Sequence, residues 1–340
     1  MPELVSAHVL VTAIAGVAKT RAGRELAAEN WRQLPDLVDP DGDPVVLRNL
    51  LRYLEIRGVV QSTGVTWEGS TALPDTASAE RWRLTPYGAV LLGRIGQGLL
   101  RFYADAYGPV LRQMDGLLRG QLQYGTDVVR DHRALGRSCE PMTISFAADL
   151  VRKQMRDRGT TWLLDLGCGT GGLLVHLAET DPEFHAVGLD IAPTAVELAT
   201  ERVKEAGLSD RLTFISGDAF DPDTWPAIAE ECDYILAVGA VHEEFRNGRD
   251  AVVRLLRRYR TVLAAKPGRA LLLAEPDLHI DASDADYYLT HALTRQGFPQ
   301  AKAVWLDVIA AAGLHCARVV QDEETTFRFT FYELTAELAG

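Results

Sequence analysis

A doubly wound, mostly parallel α/β sheet in the second half of the chain, preceded by a smaller mainly helical domain, is the architecture this 340-residue sequence predicts. Three observations predict it. The run from Thr161 to Leu166 is short and apolar, as in a strand covered on both faces, and it leads into Gly167, Gly169, Gly171 and Gly172 before an apolar helical stretch. From about residue 140 strand-like segments (near 161–166, 185–190, 211–216, 232–238, 269–274 and 325–333) alternate with helix-like ones (near 172–180, 193–206, 223–231, 248–264, 283–296 and 300–312), the pattern of a parallel sheet with helices on both faces. Finally, the chain is long for a single core. These features divide it into domains 1–140 and 141–340.

Before residue 140 the pattern is mainly helical. Residues 4–19 carry Leu4, Leu10, Ile14 and Val17 at loosely helical spacing, and so apolar a helix suits packing against a second copy of the chain. Asp43 followed by Pro44 gives an N-cap and a proline at the first helical position. Leu47, Leu50, Leu51 and Leu54 form one face behind it, and Gly58 ends the helix. Val59–Val65 reads as a strand, residues 69–79 as a polar loop, and Arg81–Pro86 as the returning strand. A helix followed by such a ribbon is a winged-helix outline. Residues 94–135 read as helical, with Leu99, Phe102, Tyr107 and Leu111 on a buried face. Arg130, Arg133 and Arg137 follow, either as surface charges or with one of them pairing with a carboxylate of substrate or cofactor.

Composition narrows the partners. Net charge is −12, and residues 1–140 hold equal numbers of acidic and basic residues, so the excess acid lies in the second half. Arg48, Arg52 and Arg57 could line a groove-facing surface, but Glu55 interrupts them, and the charge balance argues against nucleic acid. The four cysteines are far apart with no C-x-x-C, which fits a reducing cytoplasm and no thiolate cluster. No run reaches membrane-span length, so no membrane is expected, and Val5–Ala18 lacks the basic flank of a signal peptide.

The glycine run carries the chemistry. Glycines at 167, 169 and 171 remove Cβ atoms where backbone approaches a ligand, and the helix behind them offers free N–H groups. Gly167, Gly169 and Gly172 also fit a dinucleotide fingerprint. Two acids separate the readings. Asp165 sits two residues before the first glycine, where it can hold an amine, and Asp190 ends the next strand, where it can meet ribose hydroxyls. A third acid, in Gly217-Asp218-Ala219, follows the third strand. Asp165-Leu166-Gly167-Cys168-Gly169-Thr170-Gly171, Asp190 and Gly217-Asp218-Ala219 together resemble the motifs of class I S-adenosylmethionine-dependent methyltransferases, with their Rossmann-like fold. The resemblance implies that Asp165, Gly167, Gly169 and Gly171 hold the methionine end of S-adenosyl-L-methionine, Asp190 and Ile191 the ribose side, and Asp218 and Ala219 the adenine. Residues 50–60 and Leu84-Thr85-Pro86 likewise resemble the N-terminal winged-helix domain of small-molecule O-methyltransferases. That likeness implies a homodimer whose N-terminal domain caps the active site.

Beyond the fourth strand lies His242-Glu243-Glu244-Phe245, at the rim of the cleft. In the resembling O-methyltransferases a histidine here is the general base for a hydroxylated substrate, although the tryptophan usual after the acid is missing. His242 together with His291, in His291-Ala-Leu-Thr-Arg-Gln-Gly-Phe-Pro, resembles instead the α-keto acid C-methyltransferases of phenylpyruvate and ketoarginine type. That resemblance implies a non-haem iron or zinc ion held by His242 and His291, which stabilises the enolate of a small-molecule α-keto acid for methylation at its β carbon in natural-product biosynthesis. Glu243 is then the candidate base, with a metal-bound water as competitor, and His279 is a third, lower-ranked ligand. Phe245, Tyr287, Tyr288, Leu293 and Phe298 are expected to line the pocket. A non-catalytic S-adenosylmethionine-binding regulator using its winged helix is the alternative of another class.

Overall fold

The computed structural model of the chain describes residues 2–28, 30–65, 71–278, 284–321 and 328–336. Contacts divide the chain into two units, Met1–Ala106 and Tyr107–Gly340. The division falls earlier than the expected boundary at 140, because residues 107–140 are bound into the second unit. The Tyr107 hydroxyl bonds Gln296, and Gly136 on the helix His132–Arg158 packs against Thr170 of the glycine turn.

In the first unit, the helix Pro2–Val17 buries only Ile14, Ala15 and Val17 and leaves Leu4, Val5 and Val9 exposed. The helix Pro44–Ile56 begins as its sequence indicates, with Asp43 Oδ1 accepting from the amides of Val45 (2.8 Å) and Val46 (3.2 Å). Strands β1 (Arg32–Gln33), β2 (Val60–Thr63) and β3 (Arg81–Leu84) pair antiparallel in the order β1-β3-β2. The two-residue β1 is too short to leave a periodic signal. Arg48 is buried, not groove-facing, and its guanidinium holds the buried Glu80 at 2.7 to 3.0 Å. Arg52 bonds Glu55 at 2.8 Å, and Arg57 bonds Ser6 Oγ at 2.7 Å and Tyr53 at 3.1 Å.

The second unit is built on seven strands: β4 (Trp162–Leu166), β5 (His185–Asp190), β6 (Leu212–Ser216), β7 (Tyr234–Val238), β8 (Ala270–Pro276), β9 (His315–Gln321) and β10 (Phe329–Thr335). Their order is β6-β5-β4-β7-β8-β10-β9, parallel from β6 to β8, with β10 antiparallel to both its neighbours. Side chains alternate between two cores, as strand geometry requires. Leu164, Val187, Ile235 and Leu271 meet the helices Arg249–Ala264 and Lys302–Ala311. Leu163, Ala186, Leu236 and Leu272 meet the helices His132–Arg158 and Gly172–Thr180.

Two expectations need correction. The helix expected near 223–231 is a pair of short 3-10 turns, Pro222–Thr224 and Ala227–Glu231, because Pro226 between them cannot donate into a helical ladder. β9 was not expected as a strand. It lies at the sheet edge with Ala317, Arg318 and Val319 exposed, so it lacks the apolar run of the central strands. Among the described residues, no helix is long and apolar enough to cross a membrane.

Candidate active site at the carboxyl ends of the strands

Strand order reverses on either side of β4, so the residues following β4, β5, β6, β7 and β8 converge on one edge, where ligands of open α/β sheets bind. Gly167, Gly169 and Gly171 all take positive φ (81°, 56° and 73°), the region open to glycine at no steric cost. A Cβ on Gly171 would lie 2.6 Å from the Phe214 ring. The turn is tied to β5 by backbone: the amides of Gly167 and Cys168 donate to Leu189 O at 2.8 and 3.0 Å. Asp190 completes the tie, its Oδ2 accepting from Gly169 N at 2.8 Å and its Oδ1 from Ala192 N at 2.9 Å.

The other residues expected around a cofactor gather on the same edge. Asp165 is buried near the end of β4, and burial, with the charge of Asp190 adding, raises its carboxyl pKa to about 7. Ile191 is 70% exposed beside Asp190, an apolar face open at the cleft. Asp218 Oδ1 accepts from Phe220 N at 2.8 Å, which shapes the turn after β6, and Ala219 O accepts from the Tyr259 hydroxyl at 3.0 Å.

The strands β7 and β8 position the second cluster. His242 follows β7 in a 3-10 turn and is buried. Its Nδ1 lies 2.7 Å from Glu275 Oε2, while Glu275 Oε1 accepts from the amides of Val241 (2.8 Å) and His242 (3.1 Å). Glu275 stands near the end of β8 and is completely buried. A carboxylate there can only accept, so Nδ1 carries a proton, and in the neutral ring the lone pair falls on Nε2. His291, on the helix Ala285–Thr294, is buried with its ring 5.5 Å from that of His242. Its Nδ1 donates to Tyr287 O at 2.8 Å, which fixes the same tautomer. Burial first, then the neighbouring His242 and Arg130, lower its pKa to about 3, so the ring is neutral.

Glu243, expected as the base, is heavily engaged. Its Oε1 accepts from Gln296 Nε2 (2.6 Å) and Arg130 Nη2 (3.3 Å), and its Oε2 lies 3.9 Å from Arg246. Tyr287 and Phe298 lie against His291, 4.3 and 5.8 Å from its ring, and Tyr288 lies 5.5 Å from Phe298. Phe245 instead packs edge-on against Trp305, at 5.2 Å. His279 lies outside the described residues.

Four contributors escaped the sequence reading of the site: Glu275, Gln296, Gly297 and Tyr107. Glu275 left a usable signal, an acid closing the apolar strand Ala270–Pro276 on the cleft side. Gly297 is required by close approach, since a Cβ there would lie 2.1 Å from His242 O and 2.8 Å from Arg246 N. Among the described residues, no three His, Cys, Asp or Glu side chains group to hold a metal ion.

Residues 163–266 match the model of a methyltransferase domain family. The chain is 34% identical over 93 residues to the release factor glutamine methyltransferase of Rhodopirellula baltica, covering 26% of this chain and 31% of that protein. It is 29% identical over 232 residues to the 2-ketoarginine methyltransferase of Streptomyces arginensis, covering 63% of this chain and 62% of that one. The matches thus span from about a third to about three fifths of the relatives' lengths. The fold is shared along almost the full length with mitomycin 7-O-methyltransferase MmcR (TM-score 0.65, 20% identity, 98% of this chain and 96% of that). It is shared likewise with human N-acetylserotonin methyltransferase, solved with its S-adenosylmethionine (TM-score 0.69, 13% identity, 98% and 96%). Residues 163–266, from β4 through the helix after β7 and including the glycine turn at the strand-order switch, thus match a methyltransferase domain, set in a fold that these solved proteins share.

Proposed function

We propose that the chain transfers the methyl group of S-adenosyl-L-methionine to the β carbon of a small α-keto acid. The observation that carries this reading is the histidine pair. Both Nδ1 atoms are anchored, one on the Glu275 carboxylate and one on the Tyr287 carbonyl, which leaves both Nε2 lone pairs available. Metal-ligating histidines are held in this way, and two neutral imidazoles fit iron or zinc with further positions left for substrate and water. Such an ion, when bound, would stabilise the enolised keto acid as a Lewis acid. His242 and His291 would hold it. Glu275 fixes the His242 tautomer, and the rings of Tyr287 and Phe298 keep the His291 side apolar. The alignment with the 2-ketoarginine methyltransferase supports a keto acid as substrate.

Asp165, Gly167, Gly169, Gly171, Asp190, Ile191, Asp218 and Ala219 are the proposed cofactor contacts. The exposed Leu4, Val5 and Val9 of the first helix support a homodimer formed through the N-terminal unit, in a cytoplasmic enzyme. A second reading rests on the His242–Glu275 pair: a basic Nε2 backed by a buried carboxylate suits a general base for O-methylation of a hydroxylated metabolite. The regulator reading is the weakest, since Arg48, Arg52 and Arg57 are engaged within their own unit.

Elemental analysis of wild type beside His291→Ala tests the choice. About one iron or zinc ion per chain, lost in the variant, is expected for a two-histidine site. No metal in either, with turnover indifferent to chelators, removes the keto-acid mechanism and leaves His242 as a base.

A further inference from the structure

Arg130 lies in the loop before the helix His132–Arg158, and its side chain is only 15% exposed. Its Nη1 donates to the Tyr107 hydroxyl at 3.2 Å and its Nη2 to Glu243 Oε1 at 3.3 Å. Among the described residues nothing accepts its buried Nε–H. The charge beside it is also unbalanced. Glu243 serves both Arg130 and Arg246, and burial keeps Tyr107 a neutral phenol, with its pKa pushed up to about 12. Two guanidinium groups therefore share one carboxylate, and the more buried of them has a donor to spare. A buried charge in that condition is costly unless an anion completes it.

The cradle that holds Arg130 comes from distant parts of the chain. Gln296 Nε2 donates to Glu243, and Gln296 Oε1 accepts from Tyr107 (3.2 Å) and Thr294 (2.9 Å). Gln296 and Thr294 follow His291 by a few residues, and Glu243 follows His242 directly, so the cradle is built on the same two segments that carry the histidine pair.

We infer that Arg130 is the anchor for an anionic group of the methyl acceptor, presented by a cradle of Tyr107, Glu243 and Gln296. In this role Glu243 orients the guanidinium. The forked, permanently charged arginine suits a carboxylate, the group every α-keto acid carries. Arg133 and Arg137, the other two arginines of the segment, are exposed on the helix surface.

The inference rests on the methyltransferase reading but not on the keto group, so the test separates the two. Binding of phenylpyruvate and of its methyl ester is measured by calorimetry with S-adenosylhomocysteine bound, in wild type, Arg130→Gln and Arg130→Lys. Wild type is expected to hold the acid about 10- to 100-fold more tightly than the ester, the worth of one charge-assisted hydrogen bond. Arg130→Gln should abolish that preference and Arg130→Lys restore part of it, with S-adenosylhomocysteine affinity unchanged in both. An acid-to-ester ratio unaltered in Arg130→Gln overturns the anchor. Should wild type bind benzoate over methyl benzoate but not phenylpyruvate, the keto-acid reading falls and the anchor stands. Indifference to charge in both pairs of ligands overturns the anchor.

Discussion

The two halves of the cleft are built from different materials. Around β4 and β5 the site is mostly backbone: three positive-φ glycines, amides donating to Leu189 O, and one carboxylate accepting from two amides. Beyond β7 and β8 it is mostly side chain: an imidazole on a buried glutamate, a second imidazole on a carbonyl, and an arginine cradled by a phenol, a carboxylate and an amide. A backbone site has one shape, and its failure is steric. A side-chain site can lose one polar partner and keep its shape, and its failure is chemical. The first suits a ligand that stays constant, the second a substrate that varies between related enzymes.

The largest expected loss of cofactor affinity comes from forcing a side chain into the backbone half. Gly171→Val places a β-branched residue at φ 73° and a Cβ 2.6 Å from the Phe214 ring. Strain and overlap together cost about 3 kcal/mol, or roughly 100-fold in affinity for S-adenosylhomocysteine. Calorimetry reads it directly. If cofactor affinity survives the substitution, the glycine turn is not the cofactor cradle and the contrast between the halves collapses.

A smaller loss, of another kind, is expected from Glu275→Gln. The amide oxygen can still accept from Val241 and His242, so the turn keeps its shape. The amide N–H then faces His242 Nδ1, which must become the acceptor, and the proton moves to Nε2. Turnover should fall about 10- to 100-fold, as when a histidine loses the carboxylate that orients it, while cofactor affinity stays within about twofold. A fall in cofactor affinity matching the fall in turnover would show that the two halves are one unit.

The same contrast explains what could be read in the sequence. The proposed cofactor half is nearly contiguous: strand, turn and helix lie within residues 161–180, and Asp190 ends the next strand, so short-range pattern carried the elements and suggested their role. The proposed substrate half joins residues 107, 130, 242–243, 275, 291 and 296, whose proximity exists only after the sheet has formed. His242 and His291 could be singled out as residue types, and Glu275 could have been, as an acid closing an apolar strand. Gln296 and Tyr107 carry no such mark. Their role lies in which neighbours accept or donate, a property of packing. The same reason hid Arg48, which looks like a surface arginine on an amphipathic helix until Glu80, just before β3, meets it.

The last difference between the halves concerns protons and is read first in stability. The folded protein raises the carboxyl pKa of Asp165 to about 7, by burial first and by the charge of Asp190 second. In the unfolded chain the same group titrates near the ordinary carboxylate value of about 3.9. A raised carboxyl favours the folded state fully below about pH 4, where both forms hold the proton. The advantage is lost between about pH 4 and pH 7 as the unfolded chain ionises and the folded one resists, and above pH 7 it is gone. The full swing is about 4 kcal/mol, and Asp165→Asn, which mimics the protonated group, should escape it. Cofactor-free wild type and Asp165→Asn should therefore melt together at pH 4, and at pH 8 the variant should melt several °C higher. At pH 8 the variant should nonetheless bind S-adenosylhomocysteine more weakly, having lost the charge proposed to face the ligand's amine. Higher stability joined to weaker binding is what a carboxyl kept for a ligand predicts. Equal melting at both pH values would mean that Asp165 is solvated or already paired in the cofactor-free protein, and that the cofactor half holds no charge in reserve.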